Sequence, residues 1–350
     1  MDSGRRTMLT GVGLDARLGL SLDELRAVAQ EAELLGFESL WTPAGGVPDA
    51  FHICTAWSYD TGLRAGISVV PAARMWTPWA LATQAATVGL ISGGRFVLGI
   101  GTGGAGPDFF RSVGLPDKPI AVMRDFALIT RQLLAGETVN YEGTALSLHG
   151  ASLNTPELPP VPVYIAALGP QMLRLAGETA DGVLLNWATS KRIAESRALV
   201  AEGAARAGRD PSELTVSMYI RVCIDDDVPA ARHAFGLEAL GYSMRRSGVP
   251  PTVSYRGLFG QMGFDGVLSE LEDLRDRGTP LSELVDIAPD ELFKAVGYYG
   301  PAEGAPAAYA RLAEGLDETM VRIITVRKGP EPVVEAMKAL TPALIMEAGA

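Results

Sequence analysis

Eight short apolar runs alternate with amphipathic helical patterns along this sequence. Short apolar runs that are separated by helices indicate the strands of a parallel sheet that is buried on both faces. Eight such repeats predict an α/β fold, the (β/α)8 TIM barrel. The predicted strands lie at residues 9–15, 38–42, 65–70, 96–101, 161–167, 182–186, 214–224 and 320–326.

Two connections between these runs are too long for a simple crossover helix. Residues 102–160 follow the fourth strand and contain a helical pattern at 122–134 and a hairpin-like stretch at 138–148. Residues 225–319 follow the seventh strand, and we expect them to form a lid or an oligomer contact at the barrel mouth. No repeat or low-complexity linker divides residues 1–350, so the sequence predicts a single domain with two insertions.

The charge and the cysteine content restrict the function classes. The chain has 30 Lys and Arg against 41 Asp and Glu, a net charge of −11, which disfavours binding to nucleic acid or to an anionic membrane. Cys54 and Cys223 are far apart and have no metal-ligand spacing, so we expect neither a disulfide nor a metal site. The sequence shows no signal peptide and no apolar run long enough to span a membrane, and we expect a soluble cytoplasmic protein.

The turn between the fifth and sixth predicted strands leads directly into a helix. Gly169 breaks the strand, and Pro170 takes the first helical position, where a missing N–H is tolerated. Free backbone N–H groups at such a helix N-terminus can bind phosphate. The candidate phosphate-binding residues are Ala166, Ala167, Leu168, Gly169, Pro170 and Gln171. An ordinary strand-to-helix turn without a ligand is the alternative.

The fourth strand ends in G-I-G-T-G-G, residues 99–104, which matches the dinucleotide fingerprint G-x-G-x-x-G. That fingerprint belongs after the first strand of an open sheet and at the start of a packed helix. Here it follows the fourth strand, and residues 105–108 do not indicate a packed helix. We therefore expect a role other than dinucleotide binding, and a purely structural turn is the alternative.

Two segments resemble a known family. The segment A-A-L-G-P-Q-M-L-R-L-A-G-E-T-A-D-G-V-L-L-N at 166–186 and the segment S-G-G-R-F-V-L-G-I-G-T-G at 92–103 are similar to the bacterial luciferase-like superfamily. The first is most similar to the deazaflavin branch, which uses coenzyme F-420 and includes methylenetetrahydromethanopterin reductases. The resemblance covers most of residues 9–227 and the final helix–strand–helix, and it implies the same barrel.

The resemblance implies an oxidoreductase that transfers hydride between coenzyme F-420 and a small organic substrate. We also expect a homodimer. A monooxygenase of the same superfamily that uses flavin mononucleotide (FMN) is the first alternative, because both branches place phosphate on the turn at 166–171. An alternative of another class is a barrel that binds a ligand without turnover.

The resemblance also implies which residues contact the cofactor ring. In the deazaflavin branch, the positions of Ser68 and Val69 form a non-proline cis peptide that bulges against the ring, whereas a plain strand end is the alternative. Thr102 and Gly103 resemble the residues that line the ring. These four residues and the phosphate turn form the predicted cofactor site.

The residue that handles the proton is harder to predict. Many deazaflavin enzymes of this family carry Asp-His-type residues after the second strand, and some carry Glu after the fourth. This chain has Trp41-Thr42-Pro43 and Gly104 at those places, which disfavours a sugar-phosphate dehydrogenase.

Two other residues are therefore candidates for the catalytic proton donor. Asp15 ends the first predicted strand, and a cap of the following turn is its alternative role. His52 follows the second strand on a predicted loop, and an exposed histidine without a role is the alternative.

Overall fold

A computed structural model of the protein contains a closed barrel of eight parallel strands with surrounding helices, which confirms the predicted (β/α)8 fold. It describes residues 8–72, 76–103, 107–155, 157–246, 249–250 and 254–349, and the side chains of all of these except 107–109. In these residues the strands, numbered β1 to β11, are Leu9–Gly13, Ser39–Thr42, Arg64–Pro71, Phe96–Gly101, Val139–Glu142, Ser147–Ala151, Val163–Ala166, Gly182–Asn186, Thr215–Ile224, Gly297–Gly300 and Glu318–Ile324.

The barrel strands follow the order β9-β11-β1-β2-β3-β4-β7-β8, and pairing of β8 with β9 closes the ring. All eight predicted runs form these strands. The strand β10 was not predicted, because its four residues G-Y-Y-G offer too short a pattern; it pairs in parallel with the end of β9.

Helices connect the strands and begin at recognisable caps. Ser21 and Glu24 form a capping box at the start of the first helix. The α-helices in the described residues are Leu22–Leu34, Ala50–Asp60, Pro78–Ser92, Pro107–Ser112, Pro119–Leu134, Pro170–Thr179, Ser190–Arg206, Val228–Ser243, Tyr255–Phe259, Asp265–Asp276, Leu281–Ile287, Asp290–Lys294, Ala305–Leu312, Glu331–Ala339 and Pro342–Gly349.

The segment between β4 and β7 contains the predicted helix and hairpin. The strands β5 and β6 pair in an antiparallel ladder. Asp125 on helix Pro119–Leu134 is 1% exposed, and it accepts hydrogen bonds from the Tyr141 hydroxyl at 2.7 Å and from the backbone N–H of Leu146 at 2.9 Å. The buried carboxylate therefore fastens the hairpin to the helix.

The contacts of the chain divide it into two compact units. The first comprises Met1–Phe37, Leu185–Glu195 and Met218–Ala350, and the second comprises Glu38–Leu184 and Ser196–Ser217. The single domain and the lid role of residues 225–319 stay predictions. Within the described ranges, no helix is long and apolar enough to cross a membrane.

Candidate functional site

The end of strand β3 departs from regular pairing where the family resemblance implied a bulge. The register between β3 and β4 shifts between Ile67 and Val70, and the peptide bond between Ser68 and Val69 is cis. Ser68 and Val69 are half-buried, whereas Ile67 and Val70 are buried. The predicted cis peptide is confirmed, and its contact with a cofactor ring stays a prediction.

Gly101, the last residue of β4, brings two predicted cofactor residues together. A Cβ atom on Gly101 would lie 3.0 Å from Cγ2 of Val69 and 3.2 Å from Cβ of Ala166. The ends of β3, β4 and β7 therefore meet around a residue that has no side chain. Gly101 without a side chain and Ala166 with a small one, beside the half-buried Ser68 and Val69, leave a low apolar floor that suits a flat ring.

The glycines of the G-x-G-x-x-G match have structural roles. Gly99 and Gly101 lie inside β4, and a Cβ atom on Gly99 would come 2.2 Å from the carbonyl oxygen of Ile67. Glycine is therefore required at position 99 for close packing inside the sheet, and a role other than dinucleotide binding stays a prediction. Gly103 is exposed in a turn with φ of 70°, Thr102 is half-buried, and Gly104 lies outside the described residues.

One expectation about this segment was wrong. Residues 105–108 did not indicate a helix, but a short α-helix, Pro107–Ser112, begins there. Pro107 is compatible with the first helical position because proline has no N–H to satisfy.

The predicted phosphate turn forms at the start of helix Pro170–Thr179. Gly169 is its N-cap with φ of −98°, and the Pro170 and Gln171 side chains are exposed. The N–H groups of Gln171 and Met172 belong to the first turn, where no intrahelical acceptor exists. The Ala167 N–H, in contrast, donates to the carbonyl oxygen of Leu184 at 3.1 Å.

Two of the six predicted residues in this turn therefore have no free backbone N–H to donate to a phosphate. Ala167 is 3% exposed and uses its N–H in the sheet, and Pro170 has no N–H. Leu168 and Gly169 are half-buried, and Gln171 is exposed at the first turn. The first-turn N–H groups of the helix are the better candidate anion donors.

His52 lies in the first turn of helix Ala50–Asp60 rather than on the predicted loop. Its side chain is 83% exposed, and its Nδ1 atom is 3.0 Å from Oδ1 of the N-cap residue Asp49. The described geometry matches an exposed histidine that supports a cap. A catalytic role for His52 stays a prediction.

Asp15 is buried and is surrounded by arginines. It is the N-cap of a short 3₁₀ turn, and its Oδ1 atom accepts from the backbone N–H of Arg17 at 2.6 Å. Its other oxygen forms ion pairs with Arg17 at 3.2 Å and with the buried Arg322. The capping alternative is therefore present in the structure, and the role of proton donor stays a prediction.

Asp15 also lines a polar cavity of about 300 Å³ beside the ends of β1 and β11. Arg17, Glu238, Arg322 and Ile324 are among the other residues of its wall. Glu238 pairs with Arg17, so carboxylates and guanidinium groups alternate along the wall. A cavity of this kind favours polar rather than purely apolar occupants.

A second polar network surrounds Arg221, which is 2% exposed in the middle of the apolar strand β9. Its guanidinium carbon lies 3.9 Å from the ring centre of Trp187 and 5.0 Å from that of Tyr242. Its Nη1 atom donates to Oδ1 of Asn186 at 2.6 Å, and its Nε atom lies 3.5 Å from Oε1 of Glu238.

Asn186 extends this network to Tyr255. Its Nδ2 atom donates to the Tyr255 hydroxyl oxygen at 2.7 Å. Asn186 is the last residue of β8, and Trp187, which follows it, has a left-handed backbone with φ of 54° that is rare for a bulky side chain. The network thus starts at the carboxyl end of a barrel strand, where barrel enzymes place their sites.

Comparison with known proteins identifies the family. The model of the luciferase-like monooxygenase family matches residues 6–322. The chain belongs to this family.

Two relatives of this luciferase-like protein have named activities. A 5,10-methylenetetrahydromethanopterin reductase of Methanolobus tindarius is 34% identical over 211 residues, which are 59% of this chain and 63% of that protein. An F-420-dependent glucose-6-phosphate dehydrogenase of Beutenbergia cavernae is 31% identical over 230 residues, which are 62% of this chain and 67% of that protein. The chain thus matches a little under two thirds of the length of the first relative.

A solved structure supports the fold. The coenzyme F-420-dependent tetrahydromethanopterin reductase of Methanopyrus kandleri superposes with a TM-score of 0.77 at 22% identity, over 97% of this chain and all of that one. At this identity the likeness establishes the luciferase-like fold alone.

Sequence reasoning missed the charged residues of the luciferase-like barrel strands. Arg221 and Arg322 are 2% and 4% exposed inside apolar strands. A buried arginine must be paired or hydrogen-bonded, so an arginine inside a predicted buried strand was the available signal. Tyr255 gave no such signal, because its partner Asn186 is 69 residues away.

The two cysteines of this luciferase-like chain do not suit nucleophilic chemistry. Both are free and buried. Burial raises the pKa of the Cys223 thiol to about 12 and also raises the pKa of the Cys54 thiol. In the part of the chain that the structure describes, no cluster of side chains has the composition of a metal site.

Proposed function

We propose that this protein is an oxidoreductase that uses coenzyme F-420 and transfers hydride between the deazaflavin and a small organic electrophile. Family membership supports an enzyme of the luciferase-like group. The similar proteins support the cofactor, since a relative at 31% identity is an F-420-dependent glucose-6-phosphate dehydrogenase.

The observation that carries the proposal is the floor around Gly101. Val69 and Ala166 approach the position of a Gly101 Cβ atom to 3.0 and 3.2 Å, so no side chain larger than hydrogen fits there without a shift. A flat tricyclic ring needs a smooth apolar surface of this kind. The half-buried Ser68 and Val69 border the floor and are accessible to such a ring.

The start of helix Pro170–Thr179 supports the proposal with an anion site. The cofactor carries phosphate, and a helix N-terminus presents free N–H groups and the positive end of the helix dipole. The nearest cation on this helix, Arg174, is engaged with Glu202 at 2.7 Å, so the backbone rather than a guanidinium would supply the donors.

The chain and the cofactor have separate tasks in this proposal. When bound, coenzyme F-420 supplies hydride-transfer chemistry. The residues around Gly101 hold the ring flat, and the first turn of helix Pro170–Thr179 fixes the phosphate. Both contacts orient the cofactor and so lower the entropic cost of the reaction.

We do not extend the proposal to sugar phosphates, although one relative is a glucose-6-phosphate dehydrogenase. Trp41, in the place of the polar residues of that pattern, is fully buried. It packs on Tyr164 with ring centres 6.3 Å apart, and its Nε1 atom donates to Ser39 at 2.9 Å. This tryptophan supports the core and has no surface for a substrate.

Titration of the purified protein with two cofactors tests the proposal. Fluorescence quenching with coenzyme F-420 and with FMN under the same conditions gives two dissociation constants. We expect coenzyme F-420 to bind at least tenfold more tightly, a difference of about 1.4 kcal/mol. Tighter binding of FMN would instead support the monooxygenase alternative, and no binding of either would support a barrel for another ligand.

The proposal includes a cytoplasmic location and a homodimer, which rest on the sequence and the resemblance. Light scattering coupled to size-exclusion chromatography measures whether the protein is a dimer. A mass of about 37 kDa would contradict the dimer, because one chain has a mass of 36.9 kDa.

A further inference from the structure

Two helices of the second compact unit cross with their backbones in contact. One is helix Pro170–Thr179, which follows the phosphate turn, and the other is helix Ser190–Arg206, whose residues from 196 onward belong to the same unit. A Cβ atom on Gly177 would lie 2.0 Å from the carbonyl oxygen of Val200. No side chain therefore separates the two helices at this point.

The contact is reciprocal. A Cβ atom on Gly203 would lie 2.0 Å from the carbonyl oxygen of Arg174, so each helix places a backbone carbonyl against a glycine of the other. Glycine inside a helix is unfavourable by itself, because it loses more backbone entropy on folding than other residues do. Two glycines at one crossing therefore indicate that the close approach of the helices, rather than local flexibility, accounts for them.

Arginines hold the carboxyl end of the same helix. Arg209 donates to the carbonyl oxygen of Gly177 at 2.9 Å, and Arg131 donates to that of the last helical residue at 3.0 Å. Asp181 pairs with Arg131 at 2.7 Å and accepts from the N–H of Val163, the first residue of β7, at 2.9 Å. The helix is thus fixed to the start of the strand that leads into the phosphate turn.

The crossing lies close to the proposed phosphate donors. Arg174 follows Gln171 by three residues, which is about 4.5 Å along the axis of an α-helix. Because the two residues are less than one turn apart, the position of the crossing determines the position of the first-turn N–H groups. A hydrogen bond of about 2.9 Å that is lengthened by about 1 Å is no longer a hydrogen bond.

We propose that Gly177 and Gly203 are positioning residues for the phosphate of the deazaflavin cofactor. Their backbone contact holds helix Pro170–Thr179 at the position from which its first-turn N–H groups reach the phosphate. This inference rests on the proposed function and adds two residues, outside the predicted cofactor site, on which the affinity for the phosphate depends.

Two probes that differ only in a phosphate measure this dependence. One is the ribityl deazaflavin, which has the ring and the sugar chain of the cofactor, and the other is its 5′-phosphate. Fluorescence quenching gives a dissociation constant for each probe, and the ratio of the two constants isolates the phosphate contact. We expect the wild type to bind the phosphorylated probe at least tenfold more tightly, because hydrogen bonds to a charged acceptor are strong.

Two alanine variants disturb the crossing. In Gly177→Ala and in Gly203→Ala, the new methyl group would overlap a backbone carbonyl oxygen of the other helix. A carbon–oxygen contact needs about 3.3 Å, so the helices must separate by about 1 Å. Each variant should bind the phosphorylated probe at least tenfold more weakly than the wild type and keep the affinity for the unphosphorylated probe. A purely structural role would weaken the binding of both probes equally or of neither.

Arg209→Gln loosens the same helix without a steric clash, because it removes the guanidinium contact with the Gly177 carbonyl oxygen. It should lower the preference for the phosphorylated probe about threefold, and it is the deciding variant if neither alanine variant folds. Arg277→Gln is its matched control, since Arg277 donates to a backbone carbonyl of its own helix in the first compact unit. Gly241→Ala is the control for the alanine variants, because a Cβ atom there meets no atom within 4 Å. Both controls should keep the wild-type preference.

The same measurements separate this inference from the proposed function. A wild type that binds neither probe would remove the proposed function and this inference with it. Equal binding of both probes by the wild type would remove the phosphate site and this inference, and would leave the ring site. An unchanged preference in the alanine variants, or in Arg209→Gln if they do not fold, would overturn the roles of Gly177 and Gly203 and leave the proposed function intact. An equal loss of affinity for both probes would have the same consequence.

Discussion

Asp15 and Arg322 form an ion pair in which each side chain is only 5% exposed. Arg322 lies on β11 and Asp15 follows β1, and the two strands pair directly in parallel. Arg17, which is 49% exposed, contacts the same carboxylate from the solvent side. The pair therefore neutralises a buried arginine whose charge would otherwise be costly.

We predict that Asp15→Asn lowers the free energy of unfolding by about 3 kcal/mol, because it leaves the buried Arg322 charge unpaired. Urea unfolding measures the change. Asp23→Asn is the control, since Asp23 is 94% exposed, and it should change stability by less than about 0.5 kcal/mol. Combination of Asp15→Asn with Arg322→Met should recover part of the loss, whereas further destabilisation would contradict the argument.

The same variant tests the predicted catalytic role of Asp15. If this residue donates the proton, Asp15→Asn should keep cofactor affinity and slow turnover, because it removes a proton donor and keeps one hydrogen-bonding oxygen. Turnover is measured at a temperature below the unfolding transition of the variant, so the loss of stability does not affect the measured rate. Full turnover would leave only the structural role and direct the search for the acid to His52.

Gly101→Ala tests the floor for the cofactor ring. The new methyl group would stand 3.0 Å from Val69 and 3.2 Å from Ala166, so we expect tenfold weaker binding of coenzyme F-420 and a loss of stability of about 1 kcal/mol. Gly241→Ala is the matched control. A Cβ atom at Gly241 meets no atom within 4 Å, so this variant should keep cofactor affinity. Unchanged affinity of Gly101→Ala would place the ring elsewhere.

Gly169→Val tests the phosphate site. Gly169 has φ of −98°, which valine adopts readily, and a Cβ atom there meets no protein atom within 4 Å. The protein should therefore fold normally while the bulky side chain hinders approach to the helix N-terminus. We expect at least tenfold weaker binding of coenzyme F-420, about 1.4 kcal/mol. The smaller Gly169→Ala should have an intermediate effect, and wild-type affinity in both variants would place the phosphate elsewhere.

The sequence was sufficient for the barrel because each strand carries its own signal. A run of buried residues such as Phe96–Gly101 is recognisable without its neighbours, and eight such runs leave few alternative folds. The cis peptide between Ser68 and Val69 was predicted only through the family resemblance, since no local pattern requires it.

The polar networks were not predictable, because they depend on partners that are distant in sequence. Arg221 contacts Asn186 across 35 residues, and Asn186 contacts Tyr255 across 69. The side-chain directions that join them follow from barrel closure, which no pattern of local hydrophobicity encodes. Arg322, the buried partner of Asp15, was not predictable for the same reason, because it lies on the last strand of the chain.

The ion pair between Arg232 and Asp290 predicts a pH-dependent stability. Arg232 on helix Val228–Ser243 donates from Nε to Asp290 at 2.7 Å and from its other nitrogens to the carbonyl oxygens of Val285 and Ala288. The Arg232 hydrogen bond, followed by that of Lys294, lowers the pKa of Asp290 well below its ordinary value of 3.8. A carboxyl group with a lowered pKa in the folded state stabilises the protein above the unfolded-state pKa and loses this contribution as the pH falls further.

We therefore expect Asp290→Asn to lower the free energy of unfolding by on the order of 1 kcal/mol at pH 7, a modest value because the carboxylate is 42% exposed. The difference in the free energy of unfolding between wild type and variant should stay constant down to about pH 4. It should then shrink as Asp290 becomes protonated, first in the unfolded state and at lower pH in the folded state. Urea unfolding at pH 7, 5, 4 and 3 measures this difference. Asp226→Asn, at an exposed position, is the control and should show no such trend. A difference that grows toward low pH would contradict the sign of the lowered pKa.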